Sequence, residues 1–254
     1  HSPKLALNEI KKPHVMANVM TPSLSQMKFI DIIKKEIGHS RKNKSTFTEF
    51  CCLNSGSESV SIGARLADVN AKELTAKGAK HYGKSIARLT LSGSFHGRTD
   101  RPAQFSDSTR SSYKKYLKSF ENKNDLFTVT PNDIDGLKEV FQKAEKENIF
   151  IEAFFMEPVM GEGNPGQSIS TEFYDEARKL TKESGTLLLI DSIQAGLRAQ
   201  GVLSIIDYAG FENSECPDME TYSKALNAGQ YPLSVLAMTG KAAELYRQGI
   251  YGNT

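Results

Sequence analysis

The chain has 254 residues, a formal net charge of +2 and the composition of an ordinary globular protein. The near-neutral charge and the short basic runs at 34–35 and 41–44 argue against nucleic acid as a partner. No apolar stretch reaches the roughly 18 residues of a membrane span, and no charged-then-apolar leader opens the sequence, so no membrane partner is predicted. The three cysteines, Cys51, Cys52 and Cys216, fit neither a disulfide framework nor a metal-ligand spacing. Their number and positions favour a reducing, cytoplasmic setting without a bound metal.

Short apolar runs alternate with amphipathic segments along the chain, which predicts an α/β fold with a mostly parallel sheet flanked by helices. In chain order, the pattern first predicts a helix over 25–37, a strand over 48–53, a helix from Glu58 and a strand over 86–91. It next predicts a helix from a cap at Asn132 or Asp133 to about 148, a strand over 150–156, and a helix that Ser170 and Thr171 can cap, running to about 183 and ended by Gly185. Strands over 186–190 and 219–223, an apolar run over 232–238 and a helix over 241–247 complete the prediction. No repeat or linker interrupts this order, so we expect one domain over 1–254.

Residues 54–58, Asn-Ser-Gly-Ser-Glu, lie between the apolar run 50–53 and a helical pattern. In that position the backbone N–H groups of Ser55, Gly56 and Ser57, together with a serine hydroxyl, can point at an anion, helped by the helix dipole. The same residues could instead form an ordinary helix cap with a glycine turn, because serine is a common capping residue. The segment alone therefore leaves a phosphate site and a plain cap both open.

Two further residues follow apolar runs: Asp191 comes after the run 186–190, and Lys224 after the run 219–223. In α/β proteins the carboxyl ends of buried strands form the edge at which ligands bind. Seen singly, Asp191 could cap a turn and Lys224 could be a surface charge. Together with a phosphate-holding helix end, an acid facing a pyridine nitrogen and an amine able to form an imine are what pyridoxal phosphate requires.

Five ordered motifs resemble those of the class III aminotransferases, which are pyridoxal-phosphate enzymes of fold type I. The motifs are residues 54–58 (Asn-Ser-Gly-Ser-Glu), 94–99 (Ser-Phe-His-Gly-Arg-Thr), 157–163 (Glu-Pro-Val-Met-Gly-Glu-Gly), 191–198 (Asp-Ser-Ile-Gln-Ala-Gly-Leu-Arg) and 223–226 (Ser-Lys-Ala-Leu). Their order and approximate spacing resemble the family across nearly the whole chain. One motif would be a weak signal, whereas five in order are specific.

The resemblance implies a cofactor-binding role for a set of residues, namely Ser55, Gly56, Ser57, Phe95, His96, Glu157, Asp191, Ile193, Gln194, Lys224 and Thr254. Gly56 and Ser57 would hold the phosphate, while Phe95 and Ile193 would cover the two faces of the pyridine ring. His96 would lie beside Phe95, Glu157 would lie near the cofactor, and Gln194 would contact the ring hydroxyl.

The resemblance also implies the catalytic pair. Asp191 would pair with the ring nitrogen, and Lys224 would form the imine with the cofactor and move a proton between the substrate carbon and the cofactor carbon. Thr254 lies in a segment that resembles the one reaching the phosphate of a neighbouring subunit, which implies a homodimer with shared sites. The implied reaction moves an amino group, in many relatives a terminal amine, from an amino donor to an oxo acid such as 2-oxoglutarate.

Other outcomes remain open within the same family resemblance. Relatives on the same core run mutase, decarboxylase or racemase reactions, and a truncated core could persist as an inactive or binding remnant. The motif 191–198 departs from the family because Ser192 stands where a Glu is usual, and the small residues after Gln194 are altered. We expect these departures to affect substrate specificity rather than the cofactor contacts.

The family chain is longer than this one at both ends. The first residue is His1 rather than Met, so we expect a trimmed, processed or partial reading frame. Most of the family's N-terminal segment and its C-terminal small domain, which carries the expected substrate-binding arginine, have no counterpart here. The sequence therefore predicts the large cofactor-binding domain of a longer enzyme.

A rival interpretation comes from Gly161, Gly163 and Gly166, which match the G-x-G-x-x-G pattern of a dinucleotide-binding unit. Pro165 would remove a backbone donor from such a loop, and Glu162 would place negative charge near the pyrophosphate. Asp191 comes 25 residues after Gly166 (191 minus 166), beyond the usual distance of about 20. The sequence thus favours the pyridoxal-phosphate interpretation over a dinucleotide site.

Overall fold

The computed structural model describes residues 23–42 and 47–249, together with residues 4, 7, 8 and 11. The strands are β1 (Phe47–Leu53), β2 (Ser85–Leu91), β3 (Leu126–Val129), β4 (Ile149–Met156), β5 (Leu187–Asp191), β6 (Met219–Tyr222) and β7 (Ser234–Thr239). The α-helices are α1 (Leu24–Glu36), α2 (Gly56–Leu74), α3 (Asp100–Phe105), α4 (Arg110–Tyr116), α5 (Ile134–Lys146), α6 (Thr171–Ser184) and α7 (Gly240–Ala243). Short 3-10 turns span Lys118–Phe120, Ile205–Asp207 and Lys224–Asn227.

The seven strands form one mixed sheet in the order β1-β7-β6-β5-β4-β2-β3. The adjacent strands β6, β5, β4, β2 and β3 are parallel to one another. Strand β7 runs antiparallel to both β6 and β1. α-Helices follow β1, β2, β3 and β4, the usual form of crossover connection in a parallel sheet, whereas β5 is joined to β6 through the 3-10 turn Ile205–Asp207. The predicted fold class, a mostly parallel sheet flanked by helices, is confirmed.

Helices cover both faces of the sheet, and the central strands are buried on each side. Along β4 the side chains alternate: Phe154 packs in the cluster beneath α5 and α6, while Ala153 and Phe155 pack in the cluster beneath α2. A strand covered on both faces reads as a continuous apolar run, which is why 150–156 has no polar alternation outside Glu152. In the part of the chain that the structure describes, no helix is long and apolar enough to cross a membrane.

Helix ends follow the predicted capping residues. Asp133 rather than Asn132 caps α5, because its side chain accepts a hydrogen bond from Gly136 N–H at 2.9 Å. Asn132 instead accepts from Ser170 N–H at 2.7 Å and so joins the starts of α5 and α6. Ser170 caps α6, and Gly185 ends it in the left-handed conformation that glycine adopts easily.

Three features differ from the sequence prediction. The strand β3 and the short helices α3 and α4 were not predicted. The helix predicted over 241–247 extends only over Gly240–Ala243. The remaining predicted elements are present, with ends that differ by one to a few residues, as helix and strand boundaries commonly do.

Candidate active site

The predicted site residues that the structure describes lie at one edge of the sheet, where β1, β2, β4, β5 and β6 all end. The strand register places Asp191, the last residue of β5, opposite Thr221 of β6. It also places Leu53, at the end of β1, opposite Ser234, at the start of the antiparallel β7. The loops that follow these strand ends are the ones that carry the five sequence motifs.

The N-terminus of α2 faces the loop that follows β5. Ser55 caps the helix in a capping box, and the carbonyl of Ser55 accepts a hydrogen bond from the hydroxyl of Ser234 at 2.6 Å. A Cβ added to Gly56 would lie 2.7 Å from Ile193 Cδ1, so glycine is needed for this close approach. A Cβ added to Gly97 would likewise lie 2.6 Å from the Ser57 hydroxyl. The hydroxyl of Ser55 is engaged in the cap, and that of Ser57 points toward the motif that contains Phe95 and His96.

Asp191 is held in a buried hydrogen-bond network. Its Oδ2 accepts from His96 Nδ1 at 2.8 Å, and its Oδ1 accepts from the Ile193 N–H at 3.2 Å and the Thr221 hydroxyl at 3.3 Å. The other ring nitrogen of His96 is hydrogen-bonded to Thr90 Oγ1 at 3.0 Å. Asp191 is 3% exposed and His96 2%, so their mutual orientation is fixed. The network offers a preorganised negative charge at the carboxyl end of β5.

Glu157 ties two site loops together. Its Oε1 accepts from the N–H of Phe95 at 2.8 Å, and its Oε2 accepts from the N–H of Gly161 at 2.9 Å. Burial raises the pKa of this carboxyl; the nearby His96 opposes the rise and the charge of Asp191 reinforces it. Glu157 therefore holds together the loops that carry Phe95 and Gly161.

Gln194 places a buried side-chain amide beside the loop that Glu157 holds. Its Nε2 is buried and has no hydrogen-bond partner among the residues that the structure describes. A Cβ added to Gly161 would lie 2.3 Å from Gln194 Oε1, so the amide is pressed against the loop that Glu157 holds. Buried donors without partners are uncommon in folded proteins, and this one is suited to a ligand acceptor.

Lys224 begins the 3-10 turn that follows β6, three residues after Thr221, whose hydroxyl contacts Asp191. Its side chain is exposed, and its backbone has φ +41°, a left-handed value that is rare for a residue with a Cβ. Ser223, just before it, donates from its hydroxyl to the carbonyl of Leu233 at 2.8 Å, which fixes the turn against the segment leading into β7. Non-glycine residues held in this region cluster at functional sites, because strain persists only where the surroundings impose it.

Phe95 is half-buried beside the Asp191 network. The guanidinium carbon of Arg98 lies 5.2 Å from the centre of the Phe95 ring, and Arg98 also pairs with Glu162 at 2.9 Å. The cation over the ring and the hydrogen bond from its backbone to Glu157 both restrict the orientation of Phe95. Its position is consistent with the predicted contact with an aromatic ring.

The glycines of the rival dinucleotide pattern lie in a closed turn, and the following helix starts only at Thr171. The Gly166 N–H donates to the carbonyl of Met160 at 3.0 Å, and Val159 pairs with Ser168 in an isolated bridge. The Ser170 side chain caps α6 by accepting from the Phe173 N–H, so the helix begins after this cap and the glycine loop does not open onto its N-terminus. A dinucleotide site is therefore not favoured.

Gly163 has a packing reason to be glycine, which yields a testable prediction. A Cβ there would lie 1.9 Å from the carbonyl oxygen of Gly93, a backbone atom that cannot move away without displacing the 92–97 loop. We expect Gly163→Ala to lower the unfolding free energy by about 1–3 kcal/mol, the usual cost of overpacking. Thermal unfolding of the purified protein measures the change.

The matched control for this prediction is Gly166→Asn. Gly166 has φ +85° and open space around it, and asparagine tolerates the left-handed region. We expect that variant to lose much less stability. Equal stability of Gly163→Ala and the parent protein would contradict the close contact between residues 163 and 93.

Among the described residues, those predicted for the site lie on the strand-end loops at this one edge, namely Ser55, Gly56, Ser57, Phe95, His96, Glu157, Asp191, Ile193, Gln194 and Lys224. Thr254 lies outside the residues that the structure describes. Sequence reasoning missed Thr90 and Thr221, which hold His96 and Asp191 respectively. Both are strand residues with ordinary β propensity, so only the pairing of neighbouring strands reveals their roles.

Comparison with known sequences gives a consistent result. Residues 4–254 match the family model described as aminotransferase class-III. The chain is 31% identical over 204 residues to ornithine aminotransferase 2 of Staphylococcus aureus, covering 80% of this chain and 46% of that protein. It is 28% identical over 193 residues to acetylornithine aminotransferase of Nostoc sp., covering 72% of this chain and 42% of that protein. The chain thus spans less than half of the length of these curated relatives.

Solved structures agree on the fold. An S-selective transaminase from Bacillus megaterium superimposes with a TM-score of 0.73 at 17% identity, over 98% of this chain and 55% of that chain. Acetylornithine aminotransferase from Elizabethkingia anophelis gives a TM-score of 0.66 at 24% identity, over 98% of this chain and 54% of that chain. With the five motifs at one sheet edge and the family match over nearly the full length, the chain belongs to the class III aminotransferases.

Proposed function

We propose that the whole protein catalyses pyridoxal-phosphate-dependent transamination, moving an amino group from an amino donor to an oxo acid such as 2-oxoglutarate. The observation that carries the proposal is the buried Asp191–His96 pair at the end of β5, next to the strand that leads to Lys224. The named relatives are ornithine and acetylornithine aminotransferases, which favours a donor with a terminal amine. The mutase, decarboxylase and racemase alternatives, and an inactive remnant, have no feature of this chain in their favour.

The residues present suit pyridoxal 5'-phosphate. Gln194 Nε2 is a buried donor with no partner among the described residues, and it suits the ring hydroxyl. Gly56 leaves no Cβ between the start of α2 and Ile193, and the backbone N–H groups of that helix end would hold the phosphate. Asp191 is a buried carboxyl group at the end of β5 that would complement a protonated ring nitrogen. Ser55, Ser57, Phe95, His96 and Glu157 would complete the pocket.

When bound, the cofactor supplies an electron sink for the carbon that loses a proton. Lys224 would hold it through Nζ and would also take and return that proton as a general base. Asp191 would keep the ring nitrogen protonated, and His96 holds Asp191 in place from the side. Phe95 and Ile193 would exclude water from the two faces of the ring.

Residues 1–254 would form the large cofactor-binding domain of this enzyme. We further propose a homodimer with shared active sites, in which Thr254 reaches the partner's phosphate, and a cytoplasmic location. The support for the dimer is the resemblance of the segment at Thr254 to the family's phosphate-contacting segment. Light scattering of the full-length protein would test the dimer, since a monomer with full activity contradicts shared sites.

The test of the function uses the full-length protein incubated with pyridoxal 5'-phosphate. We expect a visible absorption band that borohydride bleaches, followed by loss of that band when an amino donor is added without an oxo acid. A panel of donors, including ornithine, acetylornithine, lysine and 4-aminobutyrate, then identifies the substrate from half-reaction rates. A cofactor band that no donor changes would contradict transamination, and no band at all would contradict the cofactor.

A further inference from the structure

Glu220 is a buried carboxylate outside the predicted set of site residues. It lies in the middle of β6 with no exposed surface, and hydroxyl and amide donors surround it. Its Oε1 accepts from the Ser192 hydroxyl at 2.5 Å and the Ile205 N–H at 3.0 Å, and its Oε2 accepts from the Ser204 hydroxyl at 2.5 Å. Burying a carboxylate costs free energy unless its oxygens are hydrogen-bonded, and these three donors offset part of that cost.

The hydrogen bonds of Glu220 join two segments to β6. One is the loop after β5, through Ser192, which separates Asp191 from Ile193. The other is the 3-10 turn Ile205–Asp207, through Ser204 and Ile205. The next residue of β6, Thr221, adds two contacts to the same loop: its carbonyl accepts from the Ser192 N–H at 3.0 Å and its hydroxyl donates to Asp191 at 3.3 Å.

The loop that Glu220 holds is the one that carries three predicted cofactor contacts, Asp191, Ile193 and Gln194. In the family motif a carboxylate follows the Asp directly, whereas this chain has Ser192 there. In this chain a carboxylate reaches the loop from the neighbouring strand and binds that serine.

We propose that Glu220 is a positioning residue of the active site, whose carboxylate fixes the 191–194 loop in the geometry that binds the cofactor. The proposal rests on the proposed function, because it concerns the pocket for pyridoxal 5'-phosphate. Glu220 is not among the predicted cofactor contacts and would act through Ser192. The hydrogen bonds are strongest when the carboxylate is ionised, because charged acceptors bind donors more tightly than neutral ones.

The charge state of Glu220 changes near neutral pH. Burial raises its pKa to about 7, while the hydrogen bonds from Ser192 and Ser204 oppose the rise. The titratable groups that interact with this network are Tyr222 on the same strand, Tyr174 of α6, and Tyr208 and Asp207 of the 205–208 segment. The three phenols have raised pKa values, first because they are buried, so they stay neutral as Glu220 titrates.

The test compares Glu220→Gln with the parent enzyme, both full length, by measuring the dissociation constant of pyridoxal 5'-phosphate from pH 5.5 to pH 8.5. At pH 8.5 we expect the variant to bind at least about tenfold more weakly, as for the loss of a hydrogen bond to a charged group. At pH 5.5 the parent carboxyl is protonated, so the ratio of the two constants approaches about one. Taking the ratio cancels the titration of the cofactor phosphate.

A second measurement does not need the cofactor. Hydrogen exchange of the apo-protein should be faster in Glu220→Gln over residues 192–197 and unchanged over β4. If Glu220→Gln does not fold, Ser192→Ala decides the matter: it removes one donor, leaves the carboxylate, and should weaken cofactor binding at pH 8.5 in the same direction by a smaller factor.

The matched control is Asp218→Asn, a carboxylate-to-amide change just before β6 and away from the loop. Asp218 accepts from Arg178 at 2.9 Å and from the Leu188 N–H at 2.9 Å, so its loss should lower the melting temperature and leave the ratio of dissociation constants independent of pH. A ratio for Glu220→Gln that is also flat, with unchanged exchange in the loop, would overturn the proposal. Failure of the parent protein to bind the cofactor would instead overturn the proposed function.

Discussion

Lys224→Ala in the full-length enzyme should abolish the visible absorption band of the bound cofactor. It should also lower kcat by about 10²–10⁴-fold, the usual contribution of a positioned proton-transfer group. The amine of Lys224 is the group that would attach the cofactor and move the proton, and Asp191 cannot replace it because a carboxylate forms no imine. The side chain is exposed, so we expect the free energy of unfolding to stay within about 0.5 kcal/mol of the parent value. Absorbance, borohydride bleaching and turnover measure the first effects, and thermal unfolding the last.

The control for Lys224→Ala is Lys241→Ala, which removes an exposed lysine in the first turn of α7. That variant should keep both the band and the turnover. Addition of a small amine such as methylamine should restore part of the activity of Lys224→Ala, since it supplies the missing base. If Lys224→Ala retained a borohydride-sensitive band, the attachment site would be another lysine and the assignment would be wrong.

Asp191→Asn should lower kcat by about 10²–10⁴-fold while the cofactor still attaches to Lys224. The reason is that the amide keeps the shape of the side chain and removes the charge that would face the ring nitrogen. A loss of about 3–5 kcal/mol of transition-state stabilisation, the size of the penalty for breaking a buried pair of charges, corresponds to that range of rates. Stopped-flow measurement of the half-reaction with a single donor separates this chemical effect from binding.

Asp191→Glu distinguishes the effect of the negative charge from the effect of the side-chain shape. It keeps the negative charge and displaces it along the pocket, so we expect a smaller loss of kcat than in Asp191→Asn even though a longer side chain disturbs the contact with His96 more. Equal losses in the two variants would indicate that shape rather than charge matters at this position. Unchanged turnover in Asp191→Asn would remove Asp191 from the catalytic pair.

The sheet could be predicted from the sequence where its strands are buried on both faces. The runs 150–156 and 186–190 are continuous and apolar because helices cover both sides of β4 and β5, and such runs are easy to recognise. The edge strand β3 was missed because it has four residues, most of them partly exposed, which leaves no periodic signal. The short helices α3 and α4 were missed for a similar reason, since six or seven residues hold less than two turns of pattern.

The site was predictable only in part. Asp191, Lys224 and Gly56 stand next to strand or helix ends, and the position in the chain alone brings such residues to one edge of a parallel sheet. The network around Glu220 could not be predicted, because it depends on which strand lies beside β5 and on the register of that pair. The contact between Gly163 and Gly93 was hidden too, since it joins two loops 70 residues apart (163 minus 93).

The left-handed backbone of Lys224 sets two selection pressures against each other. Glycine would adopt φ +41° without the cost of about 1–2 kcal/mol that a residue with a Cβ bears there. A library of variants at this codon, sorted by resistance to heat, should therefore enrich glycine and discard lysine. The same library, selected for growth that depends on the enzyme making its product, should do the reverse. This is the trade-off between stability and activity that active sites commonly impose.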